Sequence, residues 1–192
     1  SQACYTANAH ALARYAALCQ ENDIVPIVEP EVLIDGDHDL GRSFEVTQHA
    51  QHTVFVALAD QDVDLRGIVL KPSMVISGAG AADRAGIKEV AQETLRCLLS
   101  TVPAAVPGIA FLSGGQSDEE ATQHLNAMNE IGGSLPWAVT FSYGRALQAA
   151  AMKRWAGHSD NVESARQVAF HRAQMNGAAA LGQYSSEMEK AA

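Results

Sequence analysis

Lys71 is the residue whose setting points most directly to chemistry. It follows the strand-like apolar run GIVL at residues 67–70, whereas Lys88, Lys153 and Lys190 fall in helical or terminal stretches. Burial at the end of a strand disfavours the ammonium form and lowers the pKa of a lysine, so a neutral amine becomes available. Such an amine forms a Schiff base with a carbonyl substrate. The alternative is an ordinary lysine whose head group reaches from the sheet edge into solvent.

Polar residues also follow three other strand-like segments. They are Glu29-Pro30-Glu31, Ser113-Gly114-Gly115 and Ser142-Tyr143-Gly144-Arg145. In folds built from βα units, active sites lie beyond the carboxyl ends of the strands. We therefore expect these residues to share one rim with Lys71.

The residues on this rim suggest two functions. Glu29, expected to be partly buried, has the chemistry to transfer protons during dehydration of a carbinolamine, unless it merely pairs with Lys71 or Arg145. The glycine turns at 113–115 and 144–145 each precede a helix, whose first N–H groups attract an anion. The guanidinium of Arg145 adds a phosphate-binding group. Two such turns on neighbouring strands predict a phosphate site, although each glycine-containing turn alone fits a simple tight turn.

Repeated βα units must position these residues. Apolar runs predict strands at 24–29, 65–70, 108–112 and 137–141. Helical periodicity predicts helices at 7–20, 40–59, 83–100, from 117 onward, 146–155 and 162–177, followed by a loose tail from 182. The alternation predicts an α/β fold with a parallel sheet, either an open doubly wound sheet or part of a (β/α)8 barrel. A complete barrel needs about 250 residues and eight strands.

Composition excludes several classes of protein. A net charge of -9 without a basic cluster argues against nucleic-acid binding but not against small anionic substrates. No apolar run approaches the roughly 20 residues of a membrane helix. Cys4, Cys19 and Cys97 are widely spaced, which favours free thiols in a reducing compartment and hence a cytoplasmic protein. The histidines show no metal-ligand spacing, and the acidic segment 35–39 is better explained as a turn with a helix cap.

Five longer segments carry distinctive motifs: IVPIVEPEVLIDGDHDL at 24–40, LKPSMV at 70–75, GIAFLSGGQ at 108–116 and PWAVTFSYGRALQA at 136–149, together with NAHALARYAALCQ at 8–20. These segments closely resemble class I fructose-1,6-bisphosphate aldolase. The resemblance covers nearly the whole chain and implies a partial TIM (β/α)8 barrel. Residues 1–192 are then one domain containing about the last four βα units.

The resemblance also implies residue roles. Lys71 matches the Schiff-base lysine, Glu29 the proton-transfer residue beside it, and Glu31 a residue that helps to position the site. The implied phosphate-binding residues are Ser113, Gly114, Ser142, Gly144 and Arg145. The implied reaction is reversible cleavage of fructose 1,6-bisphosphate to dihydroxyacetone phosphate and glyceraldehyde 3-phosphate. The iminium serves as the electron sink, so no metal or other cofactor is expected, and the family usually forms tetramers.

The chain departs from the family pattern in ways that leave a second hypothesis open. It is expected to begin just after the fourth barrel strand, without an aspartate and two lysines that complete the family's site. It also lacks a terminal tyrosine and carries Ser73 where many relatives have asparagine. The alternative is therefore an incomplete half-barrel that binds a phosphorylated ligand or a partner chain without turnover. A Schiff-base lyase for smaller keto acids is disfavoured by the second phosphate-binding turn.

Overall fold

Helices and strands alternate along most of the chain. The computed structural model describes residues 1–191, and the side chains of residues 1–190. The helices are α1 (Gln2–Gln20), α2 (Leu40–Asp60), α3 (Ile87–Thr101), α4 (Asp118–Ile131), α5 (Arg145–Trp155) and α6 (Val162–Ala179). The strands are β1 (Ile27–Val28), β2 (Val69–Leu70), β3 (Gly108–Phe111) and β4 (Ala138–Phe141). Short 3-10 helices occupy Leu65–Gly67, Ser159–Asn161 and Ser186–Ala191.

The four strands form one parallel sheet in the order β1-β2-β3-β4. Val28 pairs with Leu70, Leu70 with Ile109, and Ile109 with Val139. A doubly wound sheet reverses its strand order at a switch point, whereas a barrel adds each strand beside the previous one. The sequential order is that of a barrel segment. The predicted α/β class and partial TIM barrel are confirmed.

The helices cover the sheet in chain order. α1 packs on α2, α2 on α3, α3 on α4, and α6 on both α4 and α5. One side of α3 is apolar and buried, at Val90, Leu95 and Leu98. They join one large core with the sheet residues Leu70, Ile109, Phe111 and Val139. This layer of helices supports the strands from outside and leaves their carboxyl ends open.

The first two strands are shorter than the sequence patterns predict. Residues 65–67 form a 3-10 helix, because Asp64 accepts a hydrogen bond from the Arg66 N–H and so closes a tight turn. The Gln20 side chain donates to the Asp64 carbonyl and accepts from its N–H, which fixes this turn against α1. β2 therefore begins only at Val69, and the ladder with β1 is correspondingly short.

Capping hydrogen bonds explain where α2, α3 and α4 begin. Asp39 accepts from the Arg42 N–H and begins α2, as the turn-and-cap interpretation of segment 35–39 predicted. Ser117 accepts from the Glu120 N–H and begins α4. The Glu120 carboxylate pairs with Arg84, 2.9 Å away. α3 starts four residues later than predicted, because the Glu89 carboxylate accepts from the Gly86 N–H and places the cap there.

The prediction of a loose tail from residue 182 is wrong. Tyr184 is buried, and its N–H donates to the Asn126 side chain on α4. The Glu189 carboxylate accepts from Arg172, His171 and the Tyr184 hydroxyl. Burial acts to raise the pKa of Glu189, but the hydrogen bonds from Arg172 and His171 outweigh it and lower that pKa. The small and polar residues of this segment give no indication, in the sequence, of these hydrogen-bond partners.

The sheet has two open edges within the described residues, since β1 and β4 each pair with one neighbour. Apolar side chains are exposed at the β1 edge, at Ile24, Val25 and Ile27. An unpaired strand with apolar neighbours is a template for pairing with another chain. None of the described helices is both long and apolar enough to cross a membrane.

The Arg172–Glu189 pair gives a test of the packed tail. Arg172 and Glu189 side chains are only 5% and 14% exposed, whereas the neighbouring Glu187–Lys190 pair is about three-quarters exposed. Removing one partner of a buried pair leaves an uncompensated charge. We expect Glu189→Gln to lower the free energy of unfolding by about 3 kcal/mol. Glu187→Gln, the matched control, should cost less than about 1 kcal/mol. Urea unfolding measures both, and equal losses would show that the tail is not held by this pair.

Candidate active site

The carboxyl ends of the four strands meet at one rim, because parallel strands in register end at the same edge. The ladder continues past the strands on this side. The Lys71 N–H donates to the Val28 carbonyl, and the Ser142 N–H donates to the Phe111 carbonyl. The Leu112 N–H donates to the Pro72 carbonyl. The predicted site residues therefore leave the sheet from neighbouring positions.

Lys71 and Glu29 form an ion pair across the first two strands. The distance from Lys71 Nζ to Glu29 Oε1 is 3.0 Å, and the two side chains are 20% and 41% exposed. Lys71 is thus largely withdrawn from solvent, while the expected partial burial of Glu29 is wrong. Glu29 is exposed because it follows the edge strand β1, which has no second neighbour among the described residues. The pair places a carboxylate within proton-transfer distance of the amine.

Glu31 lies next to this pair but does not contact Lys71. Its N–H donates to the Glu29 carbonyl, 3.1 Å away, and its side chain is exposed. Glu29 and Glu31 both line a cavity of about 560 Å³ whose other walls come from α1 and α2. Lys71 does not line this cavity, so Glu31 borders the space between the loop after β1 and the helices α1 and α2.

Ser73 joins the two loops that carry these residues, a role that the sequence did not indicate. Its buried hydroxyl accepts from the Val32 N–H at 2.7 Å and donates to the Val32 carbonyl at 3.0 Å. One side chain thus binds both the N–H and the carbonyl group of Val32. The Lys71 loop and the Glu29–Glu31 loop are fixed to each other through Ser73.

The turn after β3 lies beside Arg145. Gly114 and Gly115 have φ angles of +58° and +95°, in the region that glycine tolerates best. A Cβ atom on Gly115 would stand 3.3 Å from Ile34 and 3.9 Å from Arg145 Nη2. The guanidinium is thus close to the turn backbone, and a side chain at position 115 would fill the space between them.

The two helix ends near this turn differ. α5 starts at Arg145 with Gly144 as its N-cap, and it has neither a side-chain cap nor an acidic residue in its first turn. Its first N–H groups thus have no intrahelical partner. α4 is capped by Ser117 and begins with Asp118, Glu119 and Glu120. The α5 end is the better anion site of the two, and Arg145 stands at its first position.

Buried side chains hold both turns from below. Tyr143, between Ser142 and Gly144, donates its hydroxyl to the Ala121 carbonyl of α4, and burial raises its pKa. Gln116 donates to the Ser113 carbonyl, and its amide oxygen lies 2.6 Å from His124 Nδ1. Burial, with a smaller effect of Arg84, lowers the pKa of His124 to about 4. Sequence patterns give only one signal for this histidine, its place on the core side of a helix.

The site residues comprise amine, carboxylate, hydroxyl and guanidinium groups. Within the described residues, no group of three or more His, Cys, Asp or Glu side chains is arranged to hold a metal ion. The Lys71 amine and the Glu29 carboxylate stand on one side of the rim, and the two glycine turns on the other. This arrangement suits a substrate with a carbonyl carbon and a phosphate.

Comparison with known proteins gives matches to one family. The family model for class-I fructose-bisphosphate aldolase matches residues 1–192. A probable fructose-bisphosphate aldolase class 1 from Xanthomonas campestris pv. campestris is 55% identical over 185 residues, covering 96% of this chain and 55% of that protein. A fructose-bisphosphate aldolase from Dictyostelium discoideum is 52% identical over 187 residues, covering 97% of this chain and 52% of that protein.

A solved structure shows the same fold. The fructose-bisphosphate aldolase of Plasmodium falciparum, solved in complex with TRAP and a small molecule inhibitor, superposes with a TM-score of 0.95 at 46% identity. The match covers 97% of this chain and 53% of that one. The chain thus spans about half the length of the relatives it matches.

The buried His124 predicts a pH dependence of stability. Its pKa falls from 6.5 to about 4 on folding, so between these values the unfolded chain binds a proton that the folded chain does not. Stability is therefore lost as the pH drops through this window, by about 1.4 kcal/mol per pH unit and about 3 kcal/mol in all. We expect His124→Asn to flatten the slope of unfolding free energy between pH 6.5 and 4.5, as measured by urea unfolding.

The control for this prediction is His52→Asn, at an exposed position of α2. It should leave the slope unchanged. Glu189, whose pKa is lowered on folding, adds its own loss as the pH falls through the usual pKa of carboxylates, at the lower end of this window. The difference in slope between His124→Asn and the unsubstituted chain therefore isolates the histidine. An unaltered slope in His124→Asn would contradict the assignment of a neutral buried imidazole.

Proposed function

The chain belongs to the class-I fructose-bisphosphate aldolase family, and from this premise we propose that it carries the Schiff-base lysine and one phosphate subsite of such an enzyme. The proposed reaction is reversible aldol cleavage of fructose 1,6-bisphosphate to dihydroxyacetone phosphate and glyceraldehyde 3-phosphate, in glycolysis and gluconeogenesis. The observation that carries the proposal is the 3.0 Å contact between Lys71 Nζ and Glu29, on the rim that also holds the glycine turns.

Lys71 is the proposed nucleophile. Its neutral amine adds to the substrate's C2 carbonyl, and loss of water from the carbinolamine gives an iminium ion. Glu29 accepts the proton of the Lys71 ammonium and returns it to the hydroxyl that leaves as water, since its carboxyl group stands within hydrogen-bond distance of the lysine nitrogen. Glu29, again a carboxylate, then accepts the proton of the C4 hydroxyl. The C3–C4 bond breaks, its electron pair forms the enamine, and glyceraldehyde 3-phosphate leaves. Protonation at C3 and hydrolysis of the iminium release dihydroxyacetone phosphate and restore the amine.

Glu31 and Ser142 are proposed to shape the site around the reacting nitrogen. Glu31 follows Glu29 by two residues and lines the same cavity, and its proposed role is to add negative charge beside that carboxylate. Ser142 leaves β4 with its N–H fixed to the Phe111 carbonyl, which directs the following turn to the same rim. Glu31 thus acts through its charge, and Ser142 acts by directing the turn.

The proposed C1-phosphate subsite consists of Ser113 and Gly114 on one side and Gly144 and Arg145 on the other. The proximity of Arg145 Nη2 to Gly115 supports it, because one phosphate can then accept from both turns. The uncapped start of α5 contributes N–H groups and the positive end of a helix dipole. This subsite fixes the ketone end of the substrate relative to Lys71.

The alternative function is a half-barrel that binds a phosphorylated ligand or a partner chain without turnover. The open edges at β1 and β4, with apolar side chains at the β1 edge, favour it. The chain also spans about half of each relative it matches. Turnover by the purified chain separates the two functions.

We also propose a cellular location and an oligomeric state. The cysteines Cys4, Cys19 and Cys97 are free, which supports a reducing compartment and a cytoplasmic protein. Homotetramer formation, expected from the resemblance, is likewise proposed for the intact enzyme.

Borohydride trapping tests the nucleophile. We expect that incubation with dihydroxyacetone phosphate followed by reduction adds one ligand mass, and that peptide mapping places it on Lys71. Lys71→Met should abolish the adduct. The matched control Lys88→Met, at an exposed position of α3, should retain it. An adduct of equal yield in Lys71→Met would assign the chemistry to another amine, and an intact aldolase confirms that the reagents work.

Arg145 gives a second test, directed at the phosphate. Loss of a hydrogen bond to a charged group costs about 1.5–3 kcal/mol, which is roughly a 10- to 100-fold weaker interaction. We expect Arg145→Ala to raise the concentration of dihydroxyacetone phosphate needed for half-maximal trapping by this factor. Trapping of unphosphorylated dihydroxyacetone should not change. Arg154→Ala, in the last turn of the same helix, is the control. An equal effect on both ketones would remove Arg145 from the phosphate subsite.

A further inference from the structure

Gln116 and His124 lie directly beneath the turn after β3, and the proposed chemistry does not use them. Both are buried, with 7% and 1% of their surfaces exposed. We propose that they are positioning residues for the phosphate subsite: His124 orients Gln116, and Gln116 fixes the Ser113–Gly114 peptide so that its N–H faces the anion. This inference rests on the proposed function and adds two residues to its phosphate site.

The Ser113 carbonyl is held twice by the same residue. It accepts from the Gln116 backbone N–H at 3.0 Å and from the Gln116 side-chain amide at 3.0 Å. The peptide group is planar and trans, so the carbonyl of Ser113 and the N–H of Gly114 point in opposite directions. With the carbonyl directed towards the buried Gln116, the Gly114 N–H points away from it, to the open side of the turn.

Because the turn contains two glycines, the orientation of the Ser113–Gly114 peptide needs to be held by other groups. Gly114 and Gly115 both have positive φ angles and no side chain to restrict the backbone. The peptide between Ser113 and Gly114 could therefore rotate at little steric cost. A rotated peptide would present its carbonyl oxygen to the anion, which is repulsive. The two hydrogen bonds from Gln116 oppose that rotation.

His124 determines which end of the Gln116 amide faces the turn. The Gln116 nitrogen donates to Ser113 and lies 3.6 Å from Met74 Sδ, so its oxygen faces His124. The His124 Nδ1 atom, 2.6 Å from that oxygen, must then carry a proton and donate it. Burial, with a smaller effect of the Arg84 charge, lowers the pKa of this imidazole and so favours its neutral form.

The neutral tautomer leaves an unusual buried atom. His124 Nε2 is an acceptor in this tautomer, and it has no hydrogen-bond partner among the described residues. Leaving a buried polar atom without a partner lowers stability. An apolar side chain at position 124 would avoid that loss but would not hold the Gln116 amide. The arrangement is explained if the orientation of Gln116 matters for binding.

The experiment uses the whole chain and inorganic phosphate as the probe. Binding is followed through the Gly114 amide resonance in ¹⁵N-edited NMR spectra, and the tautomer of His124 through its ring nitrogens. We expect phosphate to shift the Gly114 resonance and Nδ1 of His124 to be protonated at neutral pH. Gln116→Met and His124→Leu should weaken phosphate binding about tenfold, the effect of one charge-assisted hydrogen bond. Gln123→Met, on the same helix, should leave it unchanged.

Rescue by a conservative variant separates positioning from structural support. The His124→Asn side chain carries an N–H that can donate to Gln116, so phosphate binding should return to within about threefold of the unsubstituted chain. A purely structural role would lower stability in His124→Leu and His124→Asn alike without changing binding by the folded protein. Phosphate binding that is unchanged in Gln116→Met, or equal in His124→Leu and His124→Asn, would overturn the inference.

The same variants distinguish this inference from the proposed function. If no Lys71 adduct forms but the Gly114 resonance responds to phosphate and the response is weakened in Gln116→Met, the aldolase chemistry fails and the inference stands. If Lys71 is trapped with the ketone phosphate but the Gly114 amide is insensitive to phosphate, the inference fails and the chemistry stands.

Discussion

The structure depends on the register of its parallel sheet. Val28, Leu70, Ile109 and Val139 pair in succession across the four strands, so the chain leaves every strand on the same side. That alignment alone brings residues from distant parts of the sequence to one rim. The helix layer adds the apolar burial that keeps the short strands in place, because two-residue ladders supply few hydrogen bonds of their own.

Buried polar side chains then convert the rim into a defined site. Ser73 ties the lysine loop to the glutamate loop through both polar groups of Val32. Gln116 and Tyr143 hold the two glycine turns by hydrogen bonds to backbone carbonyls. In each of these contacts, a side chain is hydrogen-bonded to a main-chain group. They fix the backbone around the candidate site without engaging the side chains of Lys71 and Arg145.

The tail and the β1 edge differ in how well they are stabilised. The Glu189 carboxylate holds the tail by accepting hydrogen bonds from Arg172, His171 and Tyr184. The β1 edge exposes apolar residues instead, and the carboxylate that follows it, Glu29, is accessible to solvent. The half of the site that faces this edge is thus the more open one. The turns after β3 and β4, which rest on α4, are the better supported half.

The α/β class, the number of strands, most helix positions and the family can all be predicted from the amino-acid sequence. These features are local: apolar periodicity, capping side chains such as Asp39 and Ser117, and long motifs are recognisable without knowledge of any tertiary contact. The short first strands, the exposure of Glu29 and the packing of the tail are visible only in the three-dimensional structure. It alone also revealed the contacts of Ser73, Gln116 and His124. Each of these depends on which residue from another element lies opposite, and a one-dimensional pattern does not contain that information.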